Sequence, residues 1–292
     1  MEIEIRNLVI ENYKSIIDFY AKYGDRSYDW YNKKFKKDII LGKIIGKICV
    51  EKNSNNIVGA YLGRIQPLLR NPSLKAVQSI DTLISPKYRG GKILIRLARE
   101  FYDFLKKESF DYVYGLPNLK IKKFRYKFLN WNYSQTTYSY NVIIPIFILR
   151  FFFFIINFFI GSKQLFNFTN ENIDELKKRL FINNNCLENK DKGAYWISYD
   201  SKFFTYIGLC RVGRKLNIFS KLYLLMMMSS KAKTFFLRTY STANTETASI
   251  FNPFSVKIKA LDFSGVVLTE QTNLTFKENY FEYIEFDTFG LD

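Results

Sequence analysis

The chain has 292 residues, of which 48% are hydrophobic, so it can bury a sizeable core and wholesale disorder is not expected. Its net charge of +17 favours anionic partners, although a lysine-rich solvated surface gives the same balance and no basic run forms a nucleic-acid-binding motif. The absence of histidine and of paired cysteine spacings argues against histidine triads, structural zinc and a disulfide framework, and we expect no metal.

The N-terminal region predicts a strand, a helix and a hairpin. Residues 3–23 combine a short strand with an amphipathic helix, and two β-rich stretches, 44–50 and 57–62, flank the polar turn KNSNN. The first residues, MEIEIRNLVIENYK, are polar and of mixed charge, unlike a signal peptide. Together with the cysteine pattern, this predicts a cytoplasmic protein.

The next predicted elements surround a glycine turn. A strand over 76–84 ends before Pro86, and the turn Tyr88-Arg89-Gly90-Gly91 separates it from the best helical pattern of the chain, at 92–107. The elements predicted after that helix are a strand at 112–116, a basic helix at 119–129 and a strand that opens at Trp131.

Residues 142–160, VIIPIFILRFFFFIINFFI, are the most hydrophobic stretch. Their length approaches a membrane span of about 20 residues, but Pro145, Arg150 and Asn157 interrupt it, and a charge at mid-span is costly. The interpretations are a buried strand with an interdomain helix, a helix lying on a membrane, and a true span. We favour the first, and take 141–163 as a hydrophobic junction between domains.

The second half is weakly similar to the first, because a strand near 165–168 and a helix over 171–181 resemble 3–23. Its other predicted strands are 204–212, the Met226-Met227-Met228 run, 233–240 and 263–269. No glycine turn between a strand and a helix is apparent in this half, so we expect it to lack a cofactor site.

These patterns predict an α/β (α+β) protein of two domains, 1–140 and 164–292, on either side of the junction. We expect each domain to contain a mixed, largely antiparallel twisted sheet flanked by helices. The second domain would be a degenerate version of the first.

The turn between residues 86 and 93 has the composition of an anion-binding site. Glycines let the backbone approach a phosphate closely, and the first amides of the following helix are donors at the positive end of its dipole. Arg89 and Lys92 add full charges beside those amides. Such a turn can also be a plain connection, but its chemistry suits a pyrophosphate.

Three motifs around the turn, QSIDT (78–82), YRG (88–90) and YGLPN (114–118), resemble the GNAT N-acetyltransferase superfamily in their order and spacing. More narrowly, they resemble long bacterial GNAT-like proteins associated with surface-polysaccharide synthesis. The resemblance covers about residues 1–135 well and the rest faintly. It implies a GNAT-like fold with acetyl-CoA as the co-substrate.

The resemblance also implies roles for individual residues. Leu83 and Ile84 would present backbone groups to the pantetheine arm of CoA, and Asn118 would lie near that arm. The residues that would hold the pyrophosphate are Arg89, Gly90, Gly91, Lys92 and Ile93. Tyr126 precedes Trp131 by five residues in YKFLNW, which resembles the family's Tyr-x-x-x-Gly-Phe ending, where the tyrosine can protonate the departing CoA thiolate.

The sequence departs from the family pattern in two places. Counting from Arg89, the usual glycine positions hold Lys92 and Leu94, and the second glycine is displaced to Gly91. Asn130 replaces the glycine that usually precedes the aromatic residue. The loop must therefore be reshaped or bind CoA less tightly, and an inactive relic that only binds ligand is the alternative.

With no histidine in the chain, Asp81 is the candidate base that takes a proton from the amine, directly or through water. Its alternative role is structural, as a carboxylate that caps the loop or pairs with Arg89. Tyr126 is likewise either the acid or a core aromatic residue. A backbone amide of the splayed strand would stabilise the tetrahedral oxyanion.

The predicted function is transfer of an acetyl or other acyl group from acyl-CoA to a primary amine, and the resemblance suggests an amino sugar on a nucleotide or lipid carrier. An anionic carrier suits the +17 charge, and the apolar segment 142–160 suits peripheral contact with the inner membrane. The alternative is a non-catalytic protein with a relic CoA site that binds anionic membrane or a glycan-synthesis complex.

Overall fold

The computed structural model describes residues 2–66, 74–160, 165–179, 186–243 and 245–268. Among these residues, the first of two compact units holds 2–134 and 264–268, and the second holds 135–263. Each unit contains a mostly antiparallel twisted sheet flanked by helices, which confirms the predicted fold class.

The first unit follows the predicted order of strand, helix, hairpin, glycine turn and helix, with one additional helix before the hairpin. Its elements are β1 (Ile3–Asn7), α1 (Tyr13–Tyr23), α2 (Tyr28–Ile40), β2 (Ile44–Glu51), β3 (Ile57–Ile65), β4 (Ala76–Ile84), α3 (Lys92–Lys107), β5 (Tyr112–Gly115) and α4 (Leu119–Phe128). The strands are ordered β1-β2-β3-β4-β5, and residues 264–267 pair antiparallel with β5. Only β4 and β5 are parallel among these described pairs.

Helices cover both faces of this sheet. Successive strand residues point to opposite faces, so the apolar side chains of these strands need cover on both sides. Ile17 and Tyr20 of α1 and Phe35 of α2 are buried on one face. Leu97 and Phe101 of α3 are buried on the other. The strands are therefore apolar on both sides, and the turn before α3 connects the sheet to the second face.

Two irregularities of β4 shape the region beside the turn. Parallel pairing with β5 ends at Gln78, so the two strands separate beyond it. On the other side, the register with β3 shifts between Ser79 and Thr82, and β4 carries one extra residue at Ile80–Asp81. This bulge turns the side chains of Ile80 and Asp81 toward the same face, where α1 and α2 lie.

The second unit repeats the central part of this topology. Its elements are β6 (Asn132–Val142), α5 (Ile146–Ile160), α6 (Asn170–Arg179), β7 (Leu187–Asp191), β8 (Ala194–Asp200), β9 (Phe204–Arg211), α7 (Ile218–Lys231), β10 (Phe236–Thr242), α8 (Glu246–Phe251) and β11 (Ser255–Val267). The strands are ordered β7-β8-β9-β10-β6-β11, and β9 is parallel to β10. The run β9, turn, α7, β10, α8 matches the run β4, turn, α3, β5, α4, and β9 carries a bulge near Gly208.

Three predictions for this unit are wrong. Residues 165–168 lie in no strand, although the amides of Leu165 and Phe166 donate to the carbonyl of Lys192. Met226-Met227-Met228 lies in α7, not in a strand, because this helix is buried all around from Tyr223 to Ser229 and shows no amphipathic period. A glycine turn does occur between a strand and a helix: Gly213, with a φ of +72°, precedes Arg214 and Lys215 between β9 and α7. A single glycine in the sequence is weak evidence for such a turn, so the pattern did not predict it.

The apolar stretch 142–160 contains the end of β6, a turn at Pro145 and helix α5, and all of it belongs to the second unit. Within the ranges given above, no helix is long and apolar enough to cross a bilayer. The predicted strands near 204–212 and 233–240 are confirmed as β9 and β10, and 263–269 overlaps the end of the longer strand β11.

Candidate functional site

The turn after β4 is held open by two glycines. Gly90 and Gly91 have φ angles of +132° and +92°, a region that side-chain-bearing residues rarely adopt. A Cβ atom at Gly90 would meet nothing within 4 Å, and one at Gly91 would lie 3.5 Å from the Phe124 ring. The turn is therefore an exposed backbone surface and is not filled by neighbouring side chains.

Helix α3 begins directly at this surface, with Gly91 as its N-cap. No side chain in the described part of the chain caps it, so the first-turn amides of Lys92, Ile93 and Leu94 remain donors at the positive end of the dipole. The side chains of Lys92 and Arg89 are exposed, and Arg89 Nε donates to Ile84 O at 3.2 Å. This arrangement can bind an anion through backbone and side chains together.

There is room beside the turn. A polar hollow of about 530 Å³ lies between α1, the β2–β3 connection and residues 85–88. On its wall, Tyr88 Oη donates to Glu51 Oε1 at 2.7 Å, and this bond raises the pKa of Tyr88 to about 12. The turn therefore borders open space on this side.

Leu83 and Ile84 lie on the part of β4 that has separated from β5. Their backbones pair with Ala60 and Gly59 of β3 on one edge, and their side chains pack into the two cores. The opposite edge of β4 beyond Gln78 has no ladder with β5. An extended ligand could pair with this edge in the manner of a strand.

Asp81 sits on the bulge and faces α2. Its Oδ2 atom lies 2.5 Å from Lys34 Nζ, and Lys34 is buried between the rings of Trp30 and Phe35. Tyr20 Oη donates to the Asp81 carbonyl at 2.7 Å and anchors the backbone of the bulge. Asp81 therefore pairs with Lys34 and not with Arg89.

Tyr126, on α4, has a buried hydroxyl with no hydrogen-bond partner in the part of the chain that the structure describes. Its ring packs against the core under α3. A buried hydroxyl without a partner costs free energy, which a ligand atom could recover. Asn118 instead begins α4, where its Oδ1 accepts from the Ile121 amide at 3.1 Å.

Arg125 is a further candidate site residue, which the sequence patterns did not indicate. The residue is 5% exposed, its guanidinium lies 4.3 Å from the Trp131 ring, and its Nη2 donates to Ser79 Oγ at 2.9 Å and Thr82 Oγ1 at 3.3 Å. No carboxylate pairs with it among the described residues, and its Nε has no acceptor. A full positive charge therefore lies where β4 and β5 separate.

A chain of hydroxyls connects Arg125 to the interior. Ser79 Oγ donates to Tyr61 Oη at 3.2 Å, Tyr61 and Tyr102 share a 2.8 Å bond, and Trp131 Nε1 donates to Tyr102 Oη at 2.7 Å. Burial raises the pKa of Tyr102 well above its ordinary value. The network is neutral apart from Arg125, so it orients that cation without neutralising it.

The turn, the separated edge of β4 and the Asp81 bulge thus follow one another along one strand, and Arg125 reaches that strand from α4 through Ser79 and Thr82. Asp81 lies on the face of α1 and α2, whereas Tyr126 packs with the core on the face of α3. Open positive-φ glycines, free helix amides and a buried unpartnered tyrosine fit a ligand that has a pyrophosphate at one end and a reactive group at the other. CoA has this form. Asn118 lies at the start of α4, where its side chain accepts a hydrogen bond from the Ile121 amide.

Solved structures share this fold. A GCN5-related N-acetyltransferase from Kribbella flavida gives a TM-score of 0.60 at 11% identity over 91% of this chain and 72% of that chain. A probable N-acyltransferase from Enterococcus faecalis V583 gives 0.62 at 10% identity over 92% and 73%. A tandem GNAT protein from the clavulanic acid biosynthesis pathway gives 0.52 at 10% identity over 93% and 100%.

No protein-family model matches the sequence, and a search of curated proteins finds no match. Likeness at 10–11% identity bears on the fold and not on the chemistry. The glycine turn, the parallel pair of β4 and β5, and the repeated topology of the second unit agree with this likeness of fold. The chain therefore has the fold of the GNAT N-acetyltransferases, in two halves like the tandem GNAT protein.

Proposed function

We propose that the protein is a CoA-dependent N-acyltransferase that moves an acetyl or other acyl group from acyl-CoA to a primary amine. The observation that carries this proposal is the exposed turn at Gly90–Gly91, whose backbone leads into the uncapped start of α3 beside the separated edge of β4. This arrangement is suited to a diphosphate and the extended arm attached to it.

In this proposal, Arg89, Gly90, Gly91, Lys92 and Ile93 bind the pyrophosphate, and the backbones of Leu83 and Ile84 pair with the pantetheine arm. Asn118 lies near the arm at the start of α4. These contacts position the thioester at the bulge of β4, and positioning alone can lower a barrier by about 7–11 kcal/mol.

Asp81 takes a proton from the acceptor ammonium, directly or through water, and the free amine then attacks the thioester carbon. A backbone amide of β4 stabilises the oxyanion of the tetrahedral intermediate. The C–S bond breaks, the sulfur leaves with the electron pair, and Tyr126 supplies the proton that makes the thiol. The second proton of the attacking nitrogen passes through water to restore Tyr126, and Asp81 releases its proton to solvent. Arg125 remains charged throughout and stabilises the negative charge on the leaving sulfur.

The proposed acceptor is an amino sugar on an anionic nucleotide or lipid carrier, in surface-polysaccharide synthesis. The basic balance of +17 supports an anionic carrier. We propose a cytoplasmic protein with peripheral contact at the inner membrane, and no nucleic-acid partner.

A coupled assay of thiol release tests this function. Purified protein is incubated with acetyl-CoA and a panel of amino-sugar nucleotides, and free CoA is measured against time. We expect amine-dependent release that is lost in Asp81→Asn while acetyl-CoA binding persists. If acetyl-CoA binds but neither this panel nor simple amines stimulate release, the catalytic proposal is wrong.

The second candidate function is a non-catalytic protein with a relic CoA site that attaches to anionic membrane or to a glycan-synthesis complex. One observation favours attachment: α5 exposes several phenylalanines, including Phe158 at 85% and Phe159 at 80%. Binding of acetyl-CoA without turnover on any amine would favour this candidate over the enzyme.

A further inference from the structure

We propose that the second unit docks on an anionic phospholipid surface through one side of α5 and the first turn of α7. We name this surface the aromatic face. Its members are Phe147, Phe151, Phe154, Phe158, Phe159 and Phe219. Each of these rings is between 63% and 85% exposed, which is far from the burial expected of phenylalanine.

The spacing along α5 makes the aromatic face a continuous stripe. Phe147, Phe151, Phe154 and Phe158 are separated by four, three and four residues, so they lie on one side of the helix. The opposite side is buried in the second unit through Ile146, Leu149 and Phe153, which belong to its core.

The polar residues of α5 point away from this stripe. Arg150 donates to the carbonyls of Ser229, at 3.2 Å, and Ala232, where α7 ends. The Asn157 side chain accepts from Tyr223 Oη at 3.4 Å. The charge that interrupts the apolar sequence is therefore used inside the unit, and it does not oppose burial of the outer side in lipid.

The same contacts show that α5 and α7 run antiparallel, so the end of α5 lies beside the start of α7. Phe158, Phe159 and Phe219 therefore belong to the same end of the helix pair. Arg214 and Lys215, both exposed, precede α7 in the turn at Gly213, which borders a hollow of about 540 Å³. The Arg214 guanidinium lies 5.5 Å from the Phe166 ring, and Lys215 is four residues before Phe219. Two cations therefore lie at the turn from which the first exposed ring of α7 follows.

Charge favours lipid over a protein occupant. The sequence contains no aspartate or glutamate from 112 to 170 or from 201 to 245, the stretches that form α5, α7 and the turn. Glu246 lines the same hollow, but it lies 3.9 Å from Arg211 and accepts from the Val212 amide, so it is already engaged within the unit. A second copy would therefore bring mainly like charges together. An anionic lipid surface offers both an apolar boundary for the rings and phosphates for Arg214 and Lys215.

The length of α5 fixes the mode of contact. Its 15 residues span about 22 Å, which is short of the roughly 30 Å hydrocarbon core. The helix would therefore lie in the interface with its outer side at the acyl boundary, and would not cross the bilayer. This inference deepens the membrane contact included in the proposed function but does not require CoA binding, so each can fail separately.

Flotation with vesicles tests the docking surface. Full-length protein is mixed with vesicles of phosphatidylglycerol and phosphatidylcholine, or of phosphatidylcholine alone, at about 0.1 M salt, where charge attraction acts within roughly 10 Å. We expect binding to the anionic vesicles, and a loss of about tenfold or more in Phe158→Ser/Phe159→Ser, because two exposed rings lose their apolar partner. Arg214→Glu/Lys215→Glu should lose a similar amount.

Matched controls separate the surface from general charge and stickiness. Ile258→Ser removes an exposed apolar side chain from β11, and Lys106→Glu/Lys107→Glu makes the same charge change on α3. Both should retain binding. Absence of binding by the wild type, equal binding by all variants, or a dimer in light scattering that Phe158→Ser/Phe159→Ser dissociates would each overturn the proposal. Acetyl-CoA affinity, measured on the same preparations, should be unchanged.

Discussion

The Nζ atom of Lys34 lies 2.5 Å from Oδ2 of Asp81, so the proposed base of this site is one half of an ion pair. The lysine side chain is 2% exposed and that of the aspartate 28%. This asymmetry means that the pair anchors a buried cation of α2 to the bulge of β4, while the carboxylate can still be reached from outside.

Asp81→Asn should therefore lower the free energy of unfolding by about 2–3 kcal/mol, because it removes the anion beside a buried ammonium. Urea denaturation of the single and double variants measures this. In Lys34→Met/Asp81→Asn the loss should be smaller than in Asp81→Asn, since no buried charge remains. If the loss in the double variant equalled the sum of the losses in Lys34→Met and Asp81→Asn, the two residues would not interact.

Arg125→Met should slow acyl transfer by about tenfold to a hundredfold, because the leaving sulfur loses a nearby cation in a poorly solvated place. Acetyl-CoA affinity should change little, and Arg125→Lys should recover part of the rate. The thiol of bound CoA, titrated by its ultraviolet absorbance, should have a lower pKa in the wild type than in Arg125→Met. An equal thiol pKa in both would leave Arg125 with only a structural role.

Gly91→Ala should destabilise the protein by about 1 kcal/mol, because its φ of +92° is strained for any residue with a Cβ atom. Thermal unfolding measures the change. Gly42→Ala, at a φ of +66° on an open surface away from the turn, is the matched control: it should cost a similar amount and leave acetyl-CoA affinity intact. Gly91→Ala should also weaken acetyl-CoA binding, because the turn carries the proposed diphosphate site. If both variants lost the same acetyl-CoA affinity, the loss would not come from the turn.

Cys49 should resist thiol reagents in the folded protein at pH 8. Burial raises the pKa of its thiol to about 11, so only about one molecule in a thousand carries the reactive thiolate at that pH. Because the fold favours the protonated thiol, its contribution to stability is present at neutral pH and is lost as the pH rises from about 9 toward 11. The pH dependence of urea unfolding should be flatter in that range for Cys49→Ala, and labelling of Cys49 in the native state would contradict the prediction.

The sequence predicted the two elements on either side of the glycine turn. The strand at 76–84 and the helix at 92–107 have the bounds expected from their periods, because both depend on nearby residues and on the glycine turn between them. Helix α2 was missed because lysines interrupt its apolar side, and its Lys34 is buried only through a partner far along the chain.

Arg125 was hidden for a similar reason. Within the basic run that forms α4, it differs from its neighbours only by being buried where β4 and β5 separate, and that gap depends on strand pairing. The bulge that directs Asp81 toward α2 is likewise a register shift against β3. Such features come from contacts between distant segments, which a single sequence does not reveal.

In the proposed function, the main-chain amides of the turn and of the first residues of α3 bind a diphosphate. Titration calorimetry with acetyl-CoA measures this binding on the wild type and on Gly90→Leu/Gly91→Leu, with Gly42→Leu as the control. We expect binding by the wild type and the control, and none detectable in the double variant. Wild-type protein that releases no heat and shows no binding, or a double variant that binds as tightly as the wild type, would contradict it.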